Sequence, residues 1–204
     1  MNNFIKFLLN RLNIHPDKNQ RWILLSTLIS GLMITYINPR IVKTIVSELP
    51  AEWLAIQSLV GALTGFSIGI LWQKAVRQKA VNNFMFLAAA ESLCGCILGL
   101  YLTFISWDVW VFAISSLIYS SMIGKFISKC KMTFKSKLWT EGEREIYDNN
   151  NDIVGSIVCI LGFLIALILM PSLKTSLIIW SLYCIFDDLG WIIVFYKNKQ
   201  ALKI

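Results

Sequence analysis

Long apolar stretches separated by short polar connectors make up most of this chain. A helix rises about 1.5 Å per residue, so about 20 apolar residues cross a hydrocarbon core of roughly 30 Å. The stretches lack the alternation of apolar and polar residues that is typical of membrane β-strands. The pattern therefore predicts an all-α membrane protein with six transmembrane helices. They are placed at residues 22–46, 53–72, 84–104, 109–127, 153–170 and 176–196.

The first residues of the chain have a different, amphipathic pattern. Phe4, Leu8 and Leu12 fall on one side of a helix, whereas Lys6 and Asn10 fall elsewhere. The apolar part is short, and no small-residue cleavage site follows it, so a cleaved signal peptide is not expected. We predict an interfacial leader helix at residues 1–19 and a six-helix transmembrane domain at residues 20–204.

Charged residues are distributed unevenly among the connectors. The connectors after the first, third and fifth predicted spans hold Glu48, Glu52 and Asp108, with Lys174 as their cation. Because cations are enriched on the cytoplasmic side of membrane proteins, both termini are predicted to be cytoplasmic in an inner (plasma) membrane. The cations on the predicted cytoplasmic side are Lys6, Arg11, Lys18, Arg21, Lys74, Arg77, Lys79, Lys129, Lys131, Lys135, Lys137, Lys197, Lys199 and Lys203.

Composition and motifs exclude several classes of protein. Apolar residues make up 56% of the chain and charged residues 15%, unlike an average soluble domain. Topology explains the net charge of +7, so nucleic acid is not expected as a partner, whereas membrane lipid is. Cys94 and Cys96 have no histidine or carboxylate cluster beside them, and we expect small apolar packing rather than a metal site. No catalytic motif accompanies the single histidine, His15, so neither an enzyme, a catalytic residue nor a cofactor is expected.

Three acids lie deep in predicted spans, where ionisable groups are costly and usually functional. Glu91 in the third span and Asp187 and Asp188 in the sixth lie at comparable depth. Adjacent residues diverge by about 100° around a helix, so we expect one aspartate to face inward and the other to find a polar or cationic partner. Two interpretations stay open: a proton or cation site, or buried acids that only hold helices together. Lys125 is expected to extend to the inner interface.

Other polar and small residues in the spans allow two interpretations each. Asn38-Pro39 either forms a polar notch of the kind found in discontinuous transporter helices, or ends the first helix. Small residues recur every fourth position in the second, third and fourth spans. They indicate close helix packing, within the chain or in a dimer. These residues are Gly61, Gly65 and Gly69, then Gly95 and Gly99, then Ser116, Ser120 and Gly124.

The connector after the second span resembles a known family. The major facilitator superfamily of transporters carries Gly-x-Leu-Ala-Asp-Arg-x-Gly-Arg-Arg between its second and third helices. Here Trp72, Gln73 and Val76 stand where that motif has a small residue, the acid and the second glycine. The resemblance implies a gating loop formed by Gly69, Gln73, Lys74 and Arg77, with a glutamine in place of the acid. The matching residues are Gly69, Leu71, Lys74 and Arg77.

A second segment is similar to the same family. Glu143-Arg144 resembles the Glu-Arg that precedes the family's fifth helix, and Gly155 and Gly162 resemble the glycines within that helix. Members usually have twelve spans in two halves, so this chain resembles one half of a major facilitator bundle. The inverted repeat within each half would make the third span the counterpart of the sixth, which relates Glu91 to Asp187 and Asp188.

The resemblance implies a transporter half that pairs, as a homodimer or with a second membrane subunit. It would move a small solute, coupled to protons or cations at Glu91 and Asp187 or Asp188, with Asn38 shaping the pathway. One alternative is a non-transporting membrane partner, such as an immunity, chaperone or regulatory subunit. Another is the substrate-binding membrane component of a vitamin transporter, although the first span has no alanine-rich coupling surface.

Overall fold

The structure is a computed structural model, and it describes residues 18–118 and 123–202. Regular structure in these ranges is helical, with no strand among the described residues, which confirms the all-α prediction. Most of the predicted leader, residues 1–17, lies outside the described part. The helices in chain order are α1 (Lys18–Glu48), α2 (Glu52–Leu71), α3 (Lys74–Asn82), α4 (Phe84–Phe104), α5 (Val109–Ile118), α6 (Gly124–Leu138), α7 (Glu141–Ile168), α8 (Leu173–Phe186), α9 (Leu189–Lys197) and α10 (Lys199–Leu202).

Five segments of the described chain are long and apolar enough to cross a membrane. They are α1, α2, α4, α7, and α8 together with α9, which match all the predicted spans except the fourth. In the fourth, α5 ends at Ile118 and α6 begins at Gly124, and residues 119–122 between them are not described. The helices have the character of a multi-pass membrane protein.

Two connectors that the sequence analysis treated as polar links are helical. The basic connector after the fourth predicted span is part of α6, which continues to Leu138. The acidic and amide residues before the fifth predicted span form the first turns of α7, which begins at Glu141. Charged residues of these two connectors therefore lie in the last turn of α6 and in the first turn of α7.

The first helix continues through its proline. Pro39 lies inside α1, which runs without interruption to Glu48, so the interpretation that Pro39 ends this helix is wrong. Proline has no N–H, and the carbonyl of Thr35, four residues earlier, therefore lacks its usual main-chain donor. The Asn38 side chain next to it is exposed.

Close helix contacts form where small residues face a neighbouring helix. The helix α1 packs along α7, α8 and α9, and α4 packs along α8. A Cβ on Gly162 of α7 would lie 2.7 Å from Cβ of Thr35, and one on Gly99 of α4 would lie 3.0 Å from the Trp180 ring. Packing within the chain is thus confirmed at Gly99. At Gly69, by contrast, a Cβ would meet no atom within 4 Å.

Two apolar clusters mark the two ends of the bundle. One end holds Ile23, Phe84, Phe134, Tyr147 and Phe195, among other buried residues. We call it the basic end, because α3, α6 and α9, which contribute to this cluster, each have lysine in their last turn. The opposite end holds Leu49, Trp53, Val109 and Ala113. The helix α5 begins at the opposite end, whereas α6 packs its Ile127, Cys130 and Phe134 into the basic end.

Candidate functional site

A cavity of about 410 Å³ lies between the helices of the bundle. Its wall is formed by α1, α4, α5, α6 and α8, together with the junction between α8 and α9. The wall contains the three acids that the sequence analysis selected. The lining residues are Ile34, Glu91, Ser116, Gly124, Lys125, Ser128, Trp180, Tyr183, Cys184, Asp187 and Asp188.

Asp187 and Asp188 lie at a break in the sixth predicted span. The helix α8 ends at Phe186 and α9 begins at Leu189, so the two aspartates form the junction between them. Both line the cavity. We expected one aspartate to face inward and the other to find a polar or cationic partner; the helix is interrupted at these two residues, and both border the cavity.

Asp188 has the cationic partner that was expected for one of the aspartates. Its carboxylate forms an ion pair with the Nζ atom of Lys131 on α6. The side chain of Asp188 is 3% exposed, whereas that of Lys131 is 23% exposed. A nearly buried carboxylate is therefore neutralised by a lysine that keeps some access to the surroundings.

Glu91 and Asp187 complete the acidic side of the cavity. Glu91 on α4 is 8% exposed, and its carboxyl group lines the cavity together with that of Asp188. Asp187 lines the same cavity as Tyr183. Two carboxylates on one cavity wall repel each other when both are ionised, because little water screens their charges. A proton or a cation bound between these acids would reduce that repulsion.

Lys131 is a site residue that the sequence analysis missed. It was assigned to a cytoplasmic connector, where a lysine needs no further explanation than topology. The sequence nevertheless indicates that Lys131 lies on an apolar helix face. Ile127, Cys130 and Phe134 have helical spacing, and Lys131 falls on the same face. All three of those apolar residues are buried. A lysine on a buried helix face would have been expected to have an acidic partner.

Lys125 also lies differently from its expected position. Its Nζ atom donates a hydrogen bond to the carbonyl of Gly61 on α2, and its side chain lines the cavity. A Cβ on Gly65, one turn along α2, would lie 3.0 Å from this Nζ atom. The glycines of α2 thus accommodate a lysine, and the expectation that Lys125 extends to the interface is wrong.

The remaining residues that were expected to contribute do not line the cavity. Asn38 is exposed on α1, and Gly69, Gln73 and Lys74 are exposed around the junction of α2 and α3. Arg77 is half-buried. Within residues 18–118 and 123–202, neither Lys74 nor Arg77 forms an ion pair with an acid. Their proposed role in gating stays a prediction.

The electrostatics of the cavity favour a small positive charge as its ligand. The cavity and its border hold three carboxyl groups and two lysines, so the group has one more acid than base. Among the described residues, no set of three or more His, Cys, Asp or Glu side chains is arranged to hold a metal ion. The geometry therefore fits a proton, or a monovalent cation with few protein ligands.

Comparisons with models of known protein families, with characterised proteins and with solved structures find no match to this chain.

Proposed function

We propose that the chain is one half of a membrane transporter that moves a small solute coupled to a proton or a monovalent cation. The observation that carries this proposal is the buried ion pair between Lys131 and Asp188, next to Glu91 on the wall of a cavity. Ionisable groups at this depth in apolar helices are costly, and in membrane proteins they mark ion and solute pathways.

The charge balance suggests how coupling would work. With every group ionised, the three acids and two lysines leave one uncompensated negative charge, which is unfavourable away from water. A bound proton or monovalent cation removes that charge. A cation that reaches Asp188 also competes with Lys131, which lies on another helix. Binding would therefore change the attraction between α6 and the junction of α8 and α9, and that change is the coupling step.

Six crossings with both termini cytoplasmic belong to the proposal. The Nδ2 atom of Asn198 donates to Oδ1 of Asn19 over 3.3 Å, and Lys197 Nζ lies 5.1 Å from the Trp22 ring centroid. These contacts support a location of the start of α1 and the end of α9 on one side of the membrane, and that location would need an even number of crossings between them. Five segments qualify by length, so α5 and α6 together are the candidate for the sixth crossing. The cations around the basic end support a cytoplasmic location for that end.

The transporter would work as a homodimer or with a second membrane subunit in the inner (plasma) membrane. This part of the proposal rests on the resemblance to half of a major facilitator transporter, which stays a prediction. In that arrangement Gly69, Gln73, Lys74 and Arg77 would form the gating loop, and Asn38 would border the pathway.

Transport by purified protein in lipid vesicles tests the proposal. Vesicles containing a pH-sensitive dye would be screened for counterflow with panels of small organic cations, zwitterions and anions, under imposed gradients of H⁺, Na⁺ or K⁺. We expect the parent chain to transport at least one solute in a gradient-dependent way. Glu91→Gln and Asp187→Asn should each abolish this dependence, because they remove the charge that the coupling ion neutralises.

The matched control is Asp152→Asn, which removes an exposed acid of α7. It should leave both the rate of transport and its gradient dependence unchanged. If Glu91→Gln and Asp187→Asn behave like Asp152→Asn, the assignment of the cavity acids is wrong.

A second candidate is a non-transporting membrane partner that keeps a half-transporter bundle. The observation that favours it concerns the connector between α2 and α3. There Lys74 and Arg77 form no ion pair with an acid among the described residues. A gate that is not used needs no such contacts. A stable monomer in native lipid, or purification at a fixed ratio with an unrelated membrane protein, would favour this candidate over a transporting homodimer.

A further inference from the structure

We propose that Ser26 is a positioning residue of the cavity: its hydroxyl holds the break between α8 and α9, and the break lets Asp187 and Asp188 both line the cavity. Ser26 lies on α1, it is 7% exposed, and it does not line the cavity itself. Its effect on the acids would therefore be transmitted through the backbone of the sixth predicted span.

The hydroxyl of Ser26 is inserted into the main-chain ladder of that span. In an uninterrupted helix the N–H of Gly190 would donate to the carbonyl of Phe186, four residues earlier. Here the Ser26 hydroxyl donates to the Phe186 carbonyl over 2.5 Å, and it accepts from the Gly190 N–H over 3.1 Å. A side chain inserted in this way is a recognised cause of helix kinks.

Regular main-chain bonds are present before and after the turn that carries the two aspartates. The N–H of Asp187 donates to the Tyr183 carbonyl over 2.9 Å, and the N–H of Ile192 donates to the Asp188 carbonyl over 2.9 Å. The disturbance is therefore confined to the turn that carries the two aspartates. Asp188 has φ −98° and ψ −5°, outside the regular helical values, which turns its side chain relative to an ideal helix.

Gly190 is what allows Ser26 to come this close. A Cβ at position 190 would lie 2.6 Å from the carbonyl oxygen of Trp22 and 2.8 Å from the Cα atom of Ile23. Both are backbone atoms of α1, which cannot move aside as a flexible side chain can. Ser26 and Gly190 thus form one joint between α1 and α9, in which the glycine provides the space and the serine provides both hydrogen bonds.

Loss of the Ser26 insertion would affect the ion pair between Lys131 and Asp188. Without the insertion, Gly190 and Phe186 could bond directly, and Asp187 and Asp188 would again diverge by about 100° around a continuous helix. Lys131 could then no longer reach Asp188 while Asp187 stays on the cavity wall. The importance of this joint for transport rests on the proposed function, whereas its effect on the ion pair can be measured without any transport.

A double-mutant cycle carried out in several Ser26 backgrounds tests the inference. Thermal unfolding of detergent-solubilised protein would be measured for Lys131→Met, Asp188→Asn and the double variant. With Ser26 present, we expect the shifts in Tm to be non-additive, because the second substitution removes a charge that the first has left unpaired. In the Ser26→Ala background the same shifts should become additive.

Ser26→Thr and Ser26→Val form a second, matched pair of backgrounds. They add the same bulk, and only threonine keeps the hydroxyl. Non-additivity should persist with Ser26→Thr and be lost with Ser26→Val, so the test does not depend on Ser26→Ala folding. Unchanged non-additivity in Ser26→Ala or Ser26→Val would overturn the inference. Absence of transport by the parent chain would instead overturn the proposed function and leave this result standing.

Discussion

Glu143, at the start of α7, can be explained by a family resemblance or by helix capping. Glu143 was selected because Glu143-Arg144 resembles the start of a transporter helix. In the structure Thr140 and Glu143 form a capping box, in which the Thr140 N–H and hydroxyl each donate to Oε2 of Glu143 over 2.8 Å. Local hydrogen bonding at a helix start is therefore sufficient to explain the threonine and the glutamate.

This cap leads to a prediction at the scale of the residue. Thr140→Ala removes the hydroxyl of the capping box, which bonds the side chain and the main-chain N–H of Glu143, and it should destabilise the protein by about 1 kcal/mol. Thr140→Ser keeps the hydroxyl and should unfold at nearly the parent temperature. Both would be measured by thermal unfolding in detergent, and equal Tm values for the two variants would contradict the capping role.

At the scale of the element, the helix α7 has two glycines in opposite environments. Gly162 packs against Thr35 of α1, whose hydroxyl donates to the carbonyl of Val158 on α7 over 3.3 Å. Gly155 has no atom within 4 Å of the position that a Cβ would take. The sequence presents both only as small residues in an apolar run. Which of them faces a neighbouring helix depends on the rotation of α7 about its own axis.

The two glycines give a matched pair of variants in one helix. Gly162→Ala places a methyl group against the Thr35 side chain and backbone, and it should cost about 1–3 kcal/mol, as is usual for overpacking. Gly155→Ala should be neutral, or stabilising by up to about 1 kcal/mol, because alanine favours helix over glycine. Thermal unfolding in detergent distinguishes them. Equal losses of stability would mean that α1 and α7 do not pack as described.

At the scale of the whole molecule, α5 and α6 contribute to apolar clusters at different ends of the bundle. The helix α5 begins in the apolar cluster of the opposite end, and α6 contributes to that of the basic end. The described ends of the chain meet through Asn19 and Asn198. In the proposed six-crossing arrangement, α5 and α6 together would form the fourth crossing, since α5 alone is shorter than a membrane span.

Labelling with a membrane-impermeant maleimide tests this arrangement. In a chain without its native cysteines, Ser106→Cys should be labelled from outside intact cells. Glu145→Cys and Gln200→Cys should be labelled only after the membrane is permeabilised. All three positions are exposed, so access depends on the side of the membrane rather than on burial. Labelling of Ser106→Cys and Glu145→Cys from the same side would contradict a crossing by α5 and α6.

The sequence by itself was sufficient for the properties that depend on local composition. Runs of about 20 apolar residues predicted helical segments with the character of membrane spans, because the hydrocarbon core imposes both length and helicity. The energetic cost of charge in such segments selected Glu91, Asp187 and Asp188, and all three line one cavity. Local patterns did not predict the helical fold of the polar connectors, because there the charged residues obscured the apolar face of α6.

Only the tertiary structure decided which side chains meet. The partners of the site come from distant parts of the chain: Lys131 neutralises Asp188, and Ser26 bonds the backbone of Phe186 at a separation of 160 residues. Such contacts depend on how each helix is rotated and on how closely its neighbour can approach, as at Gly190. These are properties of packed pairs of helices, and a single segment does not encode them.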